Sequence, residues 1–357
     1  MNQNNLKFQA LAIGSLPHKD VQKAMLLVKN DFANAPFFPQ LVNISKNEDM
    51  IFQFLEGLPS FLPSKIENFS IDSESEEFFA ALEEFFTDYE EIISDENFEK
   101  LEKYGISTLF SSSFIEFENL IRYTKPLYAK GQIIGPFTLS TSLVDKNGRC
   151  AVYDDTLREI IVKLLSLKAL WQIKRIKSAN PETTPIIFMD EPSITQLGTS
   201  AYLTVSESDV VEMFSEIADL IKANGGISAI HCCGKCDWRL PIAANIDIVN
   251  LDAYAYSENF SLYSSDIEKF LKNGGKIAWG VVPTLDSKAL ENITIDDLVS
   301  KFVQSVNYLT NKGIDEKLIL DNSLLTPSCG AGSLTEPLAQ KAMDLVFELS
   351  EVLKARF

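Results

Sequence analysis

The chain has 357 residues, of which 46% are hydrophobic and 23% are charged, a composition that excludes an intrinsically disordered protein. The 50 Asp and Glu outnumber the 32 Lys and Arg, and the net charge of −18 excludes a protein that binds nucleic acid through clustered basic residues. No apolar run is long enough for a membrane span, and the first residues show no secretory signal. We therefore expect a cytoplasmic protein that does not enter a membrane and whose cysteines are free thiols or metal ligands rather than disulfides.

The first predicted strand, Leu11–Ser15, ends in the sequence Ile13-Gly14-Ser15. Backbone N–H groups and the serine hydroxyl at this position could hold an anionic group of a substrate, although an ordinary glycine turn would have the same sequence. His18, one of only two histidines, follows this motif. We expect it either to line a pocket or to cap the next helix.

The segment Asp72–Lys103 contains 13 acidic residues against 2 lysines, which accounts for most of the net charge. Its apolar residues recur at helical spacing: Phe78, Phe79, Leu82, Phe85, Phe86, Tyr89 and Ile93. This pattern predicts an acidic helical insertion that packs on the rest of the protein and exposes its charged face to solvent. A docking surface for a partner is the alternative interpretation.

Through the remainder of the chain, short apolar runs alternate with amphipathic stretches, as in parallel α/β folds. The predicted strands are Gly131–Ile134, Pro185–Asp190, Gly226–His231, Ile246–Asp252, Lys276–Val282 and Leu318–Asp321. The predicted helices are Ser206–Ala223, Ile295–Leu309 and Glu336–Leu353. We predict a single (β/α)8 TIM barrel over residues 1–357 with the helical insertion at 72–103; a doubly wound open sheet is the alternative, because counting strands does not establish closure.

Chemically useful side chains follow several of these strands. Asp190-Glu191-Pro192 closes one strand, and its two carboxylates could hold a cationic group, act as acid and base, or simply stabilise a helix N-terminus. His231 and Cys233 end another strand and point to the same side, because side chains alternate along extended backbone. An imidazole and a thiolate placed together in this way are suited to binding zinc.

Further zinc ligands must come from other strand ends, and Cys329 and Asp252 are the candidates. Two thiolates, one imidazole and one carboxylate or water would complete a tetrahedral site. We expect Cys232 and Cys236 to be spectators and Cys150 to be an ordinary core thiol, since free cysteine often packs as a small apolar residue.

Taken in order, these motifs resemble the cobalamin-independent methionine synthase family, which shares a barrel superfamily with uroporphyrinogen decarboxylase and corrinoid-dependent thiol methyltransferases. The matching elements are Ile13-Gly14-Ser15, Gly135-Pro136, Asp190-Glu191-Pro192, His231-x-Cys233 and Cys329-Gly330. They span nearly the whole chain.

The resemblance implies a zinc ion held by His231, Cys233 and Cys329 that activates a substrate thiol, most directly that of homocysteine, to yield methionine. Asp252 occupies the position of the family's glutamate ligand but is one methylene shorter. The resemblance further implies that Asp190 takes part in catalysis by holding the substrate ammonium. Residues Ile13, Gly14 and Ser15 would hold the substrate carboxylate, with Glu191 also placed at the substrate.

Two departures from the family bear on the methyl donor. We expect the chain to have only the catalytic barrel, without the family's N-terminal one. The loop Gly280–Asp286 also lacks the histidine that is proposed to protonate the folate leaving group. A methyl group on cobalt leaves without a proton, so both departures favour a methyl-corrinoid protein as donor.

Two other functions stay open at this point. One is a methyltransferase for another thiol such as coenzyme M, although that substrate has no ammonium for Asp190. The other is a noncatalytic barrel that binds zinc or docks a corrinoid protein. Uroporphyrinogen decarboxylase activity is disfavoured, because its polycarboxylate substrate calls for an arginine-rich pocket and the chain has six arginines.

Overall fold

The computed structural model describes residues 6–63 and 70–357. Six parallel strands form one sheet whose spatial order follows the chain. The strands are β1 (Tyr128–Ile134), β2 (Thr184–Asp190), β3 (Ile227–Cys232), β4 (Ile248–Leu251), β5 (Lys276–Val282) and β6 (Ser323–Pro327). They are almost entirely buried, as expected for parallel strands covered on both faces.

Helices precede, connect and follow these strands, and the long ones begin at side-chain caps. Ser206 caps α7 by accepting from the Asp209 N–H, and Thr294 with Asp297 forms a capping box on α12. The helices are α1 (Val21–Asp31), α2 (Glu76–Ser94), α3 (Phe98–Leu101), α4 (Phe114–Thr124), α5 (Pro136–Ser142), α6 (Asp155–Ala179), α7 (Glu207–Ala223), α8 (Arg239–Ala243), α9 (Ala253–Phe260), α10 (Ser264–Lys272), α11 (Ser287–Asn292), α12 (Ile295–Thr310), α13 (Glu316–Asp321) and α14 (Glu336–Arg356). None of the helices in the described residues is long and apolar enough to cross a membrane.

The sheet is curled, so that side chains from all six strands join one small buried cluster. The cluster consists of Leu6, Leu11, Ala35, Tyr128, Ile186, Phe188, Ala229, Ile248, Ala278 and Leu324. Curling brings the carboxyl ends of strands that are not neighbours toward a common axis, which is the arrangement that barrel enzymes use to assemble sites.

Two segments near the N-terminus lie between β6 and β1 without forming strands. Parallel bridges join Ala10 to Leu325, Ser15 to Gln40 and Phe37 to Lys130. The prediction of a parallel α/β fold is confirmed, but the sheet has six strands and not the eight of a closed (β/α)8 barrel. Pro36 and Pro39 explain part of the difference, because proline has no N–H to donate to a ladder.

Five predicted strands agree with β1 to β5 to within a few residues, but the predictions at Leu318–Asp321 and Leu11–Ser15 are wrong. Leu318–Asp321 lies in α13, where the Asp315 side chain caps the helix by accepting from the Leu318 N–H. The strand is β6, immediately downstream. A run of four residues is too short for its periodicity to distinguish helix from strand. Within Leu11–Ser15 only Ser15 forms a bridge, to Gln40, and no strand is present.

The acidic segment Asp72–Lys103 contains α2 and α3. Phe78, Phe85 and Tyr89 of α2 are buried as the helical spacing predicts, with Ile92 on the inner face rather than Ile93. Phe79, in contrast, is 57% exposed. The inner face of α2 therefore packs against the protein, whereas its glutamates lie mainly on the outer face.

Candidate metal centre and cavity

Three of the predicted zinc ligands meet at the carboxyl ends of the strands. His231 lies near the end of β3, Cys233 follows that strand, and Cys329 follows β6. One nitrogen and two sulfur atoms from these residues lie within 4.8 Å of one another. Strands β4 and β5 separate β3 from β6 in the sheet, so it is the curling of the sheet that brings Cys329 to the other two residues.

Asn250 fixes the orientation of the His231 ring. The Asn250 side-chain nitrogen donates to the Ala278 carbonyl and the Thr326 hydroxyl, both at 2.8 Å, so its Oδ1 must face His231. That oxygen lies 2.6 Å from His231 Nδ1 and accepts a hydrogen bond from the Nδ1–H group. The lone pair is therefore on Nε2, which is buried and has no hydrogen-bond partner among the described residues. An oriented imidazole with a free nitrogen is the usual state of a metal-ligating histidine.

The Sγ atoms of Cys233 and Cys329 lie within 4.8 Å of each other. The neighbouring Cys329 thiol, and after it the His231 imidazole, lowers the pKa of the Cys233 thiol, whereas the proximity of Cys233 raises the pKa of Cys329. Burial lowers the pKa of His231, but its contacts with Cys233 and Asp190 outweigh burial and raise it. The cluster therefore stabilises a thiolate, the form in which cysteine binds metals.

The donor set fits zinc. Two thiolates and one imidazole are ligands that zinc takes in tetrahedral sites, and a fourth position would stay available for a substrate atom. The orphaned Nε2 of His231 supports this fit, because a buried unpaired nitrogen is otherwise costly. The observation itself is a His-Cys-Cys cluster that could hold a metal ion.

Asp252, the fourth predicted ligand, does not belong to the three-residue cluster. Its carboxylate caps α9 by accepting from the Ala255 N–H at 2.9 Å. Burial raises the pKa of Asp252 to about 6. Its role as a metal ligand stays a prediction, and the contact that the structure gives it is that of a helix cap.

A cavity of about 380 Å³ opens over the cluster. Its lining includes the predicted residues Ile13, Ser15, Asp190, His231, Cys233 and Cys329. Pro192 and Gly330 of the predicted motifs also line it, and sequence reasoning missed Gln40, Val42, Glu48, Asp49, Met50, Leu285, Gly332 and Ser333. Most of these lie in irregular segments without a motif, so no local signal marked them.

Asp190 ends β2 directly beside His231, its register partner on β3. The side chain is buried and its Oδ1 atom has no hydrogen-bond partner among the described residues. Burial raises the pKa of Asp190, and the Lys130 ammonium opposes this effect. An unpaired carboxylate oxygen at a cavity wall is suited to binding a cationic or hydrogen-bond-donating group.

The adjacent Glu191 does not line the cavity. Its carboxylate accepts from the Phe137 N–H at 3.1 Å and from the Thr138 hydroxyl at the start of α5. Burial raises its pKa to about 8. A Cβ atom at Gly135 would overlap this carboxylate, which explains the glycine of the Gly135-Pro136 turn. The predicted contact of Glu191 with substrate stays a prediction, and its observed contacts are structural.

The Ile13-Gly14-Ser15 motif packs against the loop that carries Cys329. Ser15 Oγ accepts from the Gly332 N–H at 3.2 Å, and the Ser15 carbonyl accepts from the Ala331 N–H at 3.0 Å. A Cβ atom at Gly330 would overlap the Ser15 hydroxyl, so glycine after Cys329 permits this contact. Gly14 does not line the cavity in the described residues, and it lies next to the side chains of Gln132 and Gln40.

The remaining histidine and cysteines lie outside the cluster. His18 does not line the cavity in the described residues, and Asp20 rather than His18 caps α1. Cys232 and Cys236 are buried in the main hydrophobic core, and Cys150 packs against that core. Their placement agrees with the expectation that they are spectators.

No family model matches this chain, and no curated protein matches it. The geometry of the cluster and the cavity is therefore the basis for assigning a function.

Proposed function

We propose that this protein is a zinc-dependent methyltransferase that activates a thiol, homocysteine in the first instance, to form methionine. The observation that carries this proposal is the convergence of His231, Cys233 and Cys329 on one wall of a cavity, with the free Nε2 of His231 directed by Asn250. A site with three protein ligands and an exchangeable fourth position is typical of catalytic zinc, whereas structural zinc has four protein ligands.

Zinc bound to these residues would lower the pKa of a coordinated substrate thiol, so that the sulfur is a thiolate at neutral pH. The chain itself would hold the ion through one imidazole and two thiolates. Asn250 keeps the imidazole in the tautomer that can bind, and the buried strand ends β3 and β6 fix the separation of the three donor atoms.

The polar groups around the cavity fit the other end of an amino-acid thiol. The carboxylate of Asp190 has an unpaired oxygen that would accept from the substrate ammonium. The Ser15 hydroxyl accepts from Gly332 and so has its own proton to donate to a substrate carboxylate. A thiol without an ammonium, such as coenzyme M, would leave the Asp190 oxygen unpaired, which favours homocysteine.

The fold supports this assignment at the level of architecture. We infer that the bridged segments at Ala10–Ser15 and Phe37–Gln40 take the places of the first two strands of a (β/α)8 barrel. Under this interpretation the cavity lies at the carboxyl ends of the strands, where barrel enzymes bind their substrates.

The methyl donor that we propose is a methyl-corrinoid carried by a separate protein. The substrate sulfur would form a bond to the methyl carbon while the cobalt–carbon bond breaks. The electron pair of the cobalt–carbon bond would stay on cobalt, which changes from Co(III) to Co(I). This leaving group needs no proton. A folate amine does, and the loop Gly280–Asp286 provides no histidine: Asp286 caps α11 and Thr284 bonds to the Cys329 carbonyl.

The direct test is to measure methionine formation by the zinc-loaded protein with homocysteine and either methylcobalamin or methyltetrahydrofolate. We expect methionine, formed faster with methylcobalamin. Faster turnover with the folate would overturn the proposed donor. Retention of zinc without methionine from either donor would overturn the methyltransferase and support a noncatalytic zinc-binding barrel.

A further inference from the structure

Lys130 is a buried cation, bonded to the cavity-lining residue Ile13, that the proposed chemistry does not use. It lies in β1, its relative exposure is 0%, and its Nζ atom is 4.6 Å from the centre of the Phe188 ring. Burial lowers the pKa of Lys130 to about 8, with Asp190 opposing this effect, so the ammonium is still mostly charged at pH 7. A charged lysine in a protein interior is costly unless it is well partnered.

The ammonium of Lys130 is bonded to the Ile13-Gly14-Ser15 motif. Nζ donates to the Ile13 carbonyl and, at 3.0 Å, to Gln132 Oε1. Gln132 in turn donates to the Phe38 carbonyl at 3.0 Å. Lys130 therefore ties β1 to both irregular segments at the place where regular strand pairing is missing. It also fixes the direction of the peptide that leads into Gly14 and Ser15.

Apart from the imidazole of His231, the described lining of the cavity has no basic side chain. Within the described part of the chain, its lining includes the carboxylates of Glu48, Asp49 and Asp190 but no lysine or arginine. Glu48 is already engaged, since it accepts from the Leu41 and Ser112 N–H groups at 2.9 Å. The acidic lining would thus repel a substrate carboxylate unless a nearby positive charge compensated for it. A buried cation can do so over several ångströms, because electrostatic interactions are strong in a poorly solvated interior.

We propose that Lys130 is a positioning residue for the substrate carboxylate. Its hydrogen bond to Ile13 holds the Ser15 hydroxyl and the neighbouring backbone toward the cavity, and its charge offsets the acidic lining. This inference rests on the proposed function, because it concerns the thiol substrate of that site.

Calorimetric titrations of the zinc-loaded protein with three thiols test the recognition of the substrate carboxylate and of the substrate ammonium separately. Homocysteine carries both charged groups, 4-mercaptobutanoate carries only the carboxylate, and 3-aminopropane-1-thiol carries only the ammonium. We expect the wild-type protein to bind homocysteine about tenfold or more tightly than 3-aminopropane-1-thiol, as for a hydrogen bond to a charged group. Equal affinity would overturn the proposal without any variant.

Substitutions of Lys130 and of Asp190 should change the ratio of the affinities for 4-mercaptobutanoate and 3-aminopropane-1-thiol in opposite directions. Lys130→Met should weaken 4-mercaptobutanoate about tenfold relative to 3-aminopropane-1-thiol, and Lys130→Arg should restore part of the loss. Asp190→Asn should weaken 3-aminopropane-1-thiol relative to 4-mercaptobutanoate. A purely structural role for Lys130 would weaken both thiols equally, and that result would contradict the proposal.

Lys168→Met is the matched control. Lys168 is also 0% exposed, and its Nζ atom donates to the Tyr104 and Gly105 carbonyls at 3.2 and 2.9 Å, away from the cavity. Its loss should leave the ratio of the two affinities unchanged, and a shift equal to that of Lys130→Met would overturn the assignment. Failure of every thiol to bind would overturn the proposed function itself and the role of Lys130 with it.

Discussion

The α2 region and the cluster of His231, Cys233 and Cys329 differ in how their polar groups are partnered. In α2, the buried carboxylate of Asp88 accepts from Lys100 and Lys103 at 2.8 Å and from the Tyr104 hydroxyl at 2.7 Å. At the strand ends, His231 Nε2 and Asp190 Oδ1 are buried without partners among the described residues. Charge density is high in the first region and low in the second. Within the part of the chain that the structure describes, His18 Nδ1 and three serine hydroxyls are also unpaired, but they do not line the cavity. It is therefore the placement of two unpaired ionisable groups side by side on β2 and β3, and not charge density, that marks the candidate site.

Substitution of a cysteine ligand should have the largest effect on zinc binding, which separates the cluster from the α2 region. Cys233→Ser or Cys329→Ser should lower zinc affinity by at least about a hundredfold, because each removes one of the three protein ligands. Zinc content after dialysis, measured by atomic absorption, should fall from near one ion per chain to a small fraction.

Cys150→Ser is the matched control, since Cys150 is a free cysteine outside the cluster. It should keep its zinc. Stoichiometric zinc in both ligand variants, or loss of zinc in the control, would contradict the assignment of the site.

Removing the partner of His231 should have a smaller effect on the same site. Asn250→Leu keeps the size of the side chain but leaves Nδ1 without its acceptor, so the imidazole is no longer held in the binding tautomer. Loss of such a partner typically costs 10- to 100-fold in metal affinity, by order of magnitude. Competition with a zinc chelator measures the change, and unchanged affinity would show that Asn250 does not direct the ligand.

Substitution in the α2 region should change stability but not zinc binding. Burial raises the pKa of Asp88, but hydrogen bonds from Lys100, Lys103 and Tyr104 outweigh burial and lower it to about 2. Asp88→Asn should therefore reduce the free energy of unfolding at pH 7 by about 1–2 kcal/mol, part of which salt should screen because the lysines are partly exposed.

The lowered pKa of Asp88 determines how this difference in stability depends on pH. A lowered carboxyl pKa stabilises the folded state above the unfolded value of about 4, and the contribution disappears as the pH falls through about 2. The stability difference between Asp88→Asn and wild type should shrink over the same interval in urea titrations. The exposed Glu83→Gln should show little difference at any pH, and reduced zinc content in Asp88→Asn would contradict the separation of the two regions.

The sequence is most informative where the structural signal is local. The alternation of side chains along β3 predicts that His231 and Cys233 point together, and the buried apolar runs predict most of the strands. The strand prediction at Leu318–Asp321 is wrong because a short apolar run fits a helix as well as a strand. The Asp315 cap favours the helix. The strand prediction at Leu11–Ser15 is wrong because only Ser15 forms a bridge there, opposite a segment in which Pro36 and Pro39 have no N–H to donate.

Non-local features could not be predicted in this way. Asn250 and Lys130 acquire their roles only when strands β1, β3 and β4 and the N-terminal segment are assembled, since their partners are distant in the chain. Glu48 and Asp49 reach the cavity from an irregular segment without periodicity. A polar residue within a buried strand, such as Asn250 in β4, is the one local sign that could have indicated a contact of this kind.

The central claim is that His231, Cys233 and Cys329 hold a zinc ion whose remaining position takes a substrate thiol. Zinc X-ray absorption spectra of the loaded protein, recorded with and without homocysteine, test it most directly. We predict a first shell with two sulfur atoms and lighter scatterers that include one imidazole nitrogen, in which homocysteine replaces one light atom by a third sulfur. A spectrum without sulfur, or one that homocysteine does not change, would contradict the account.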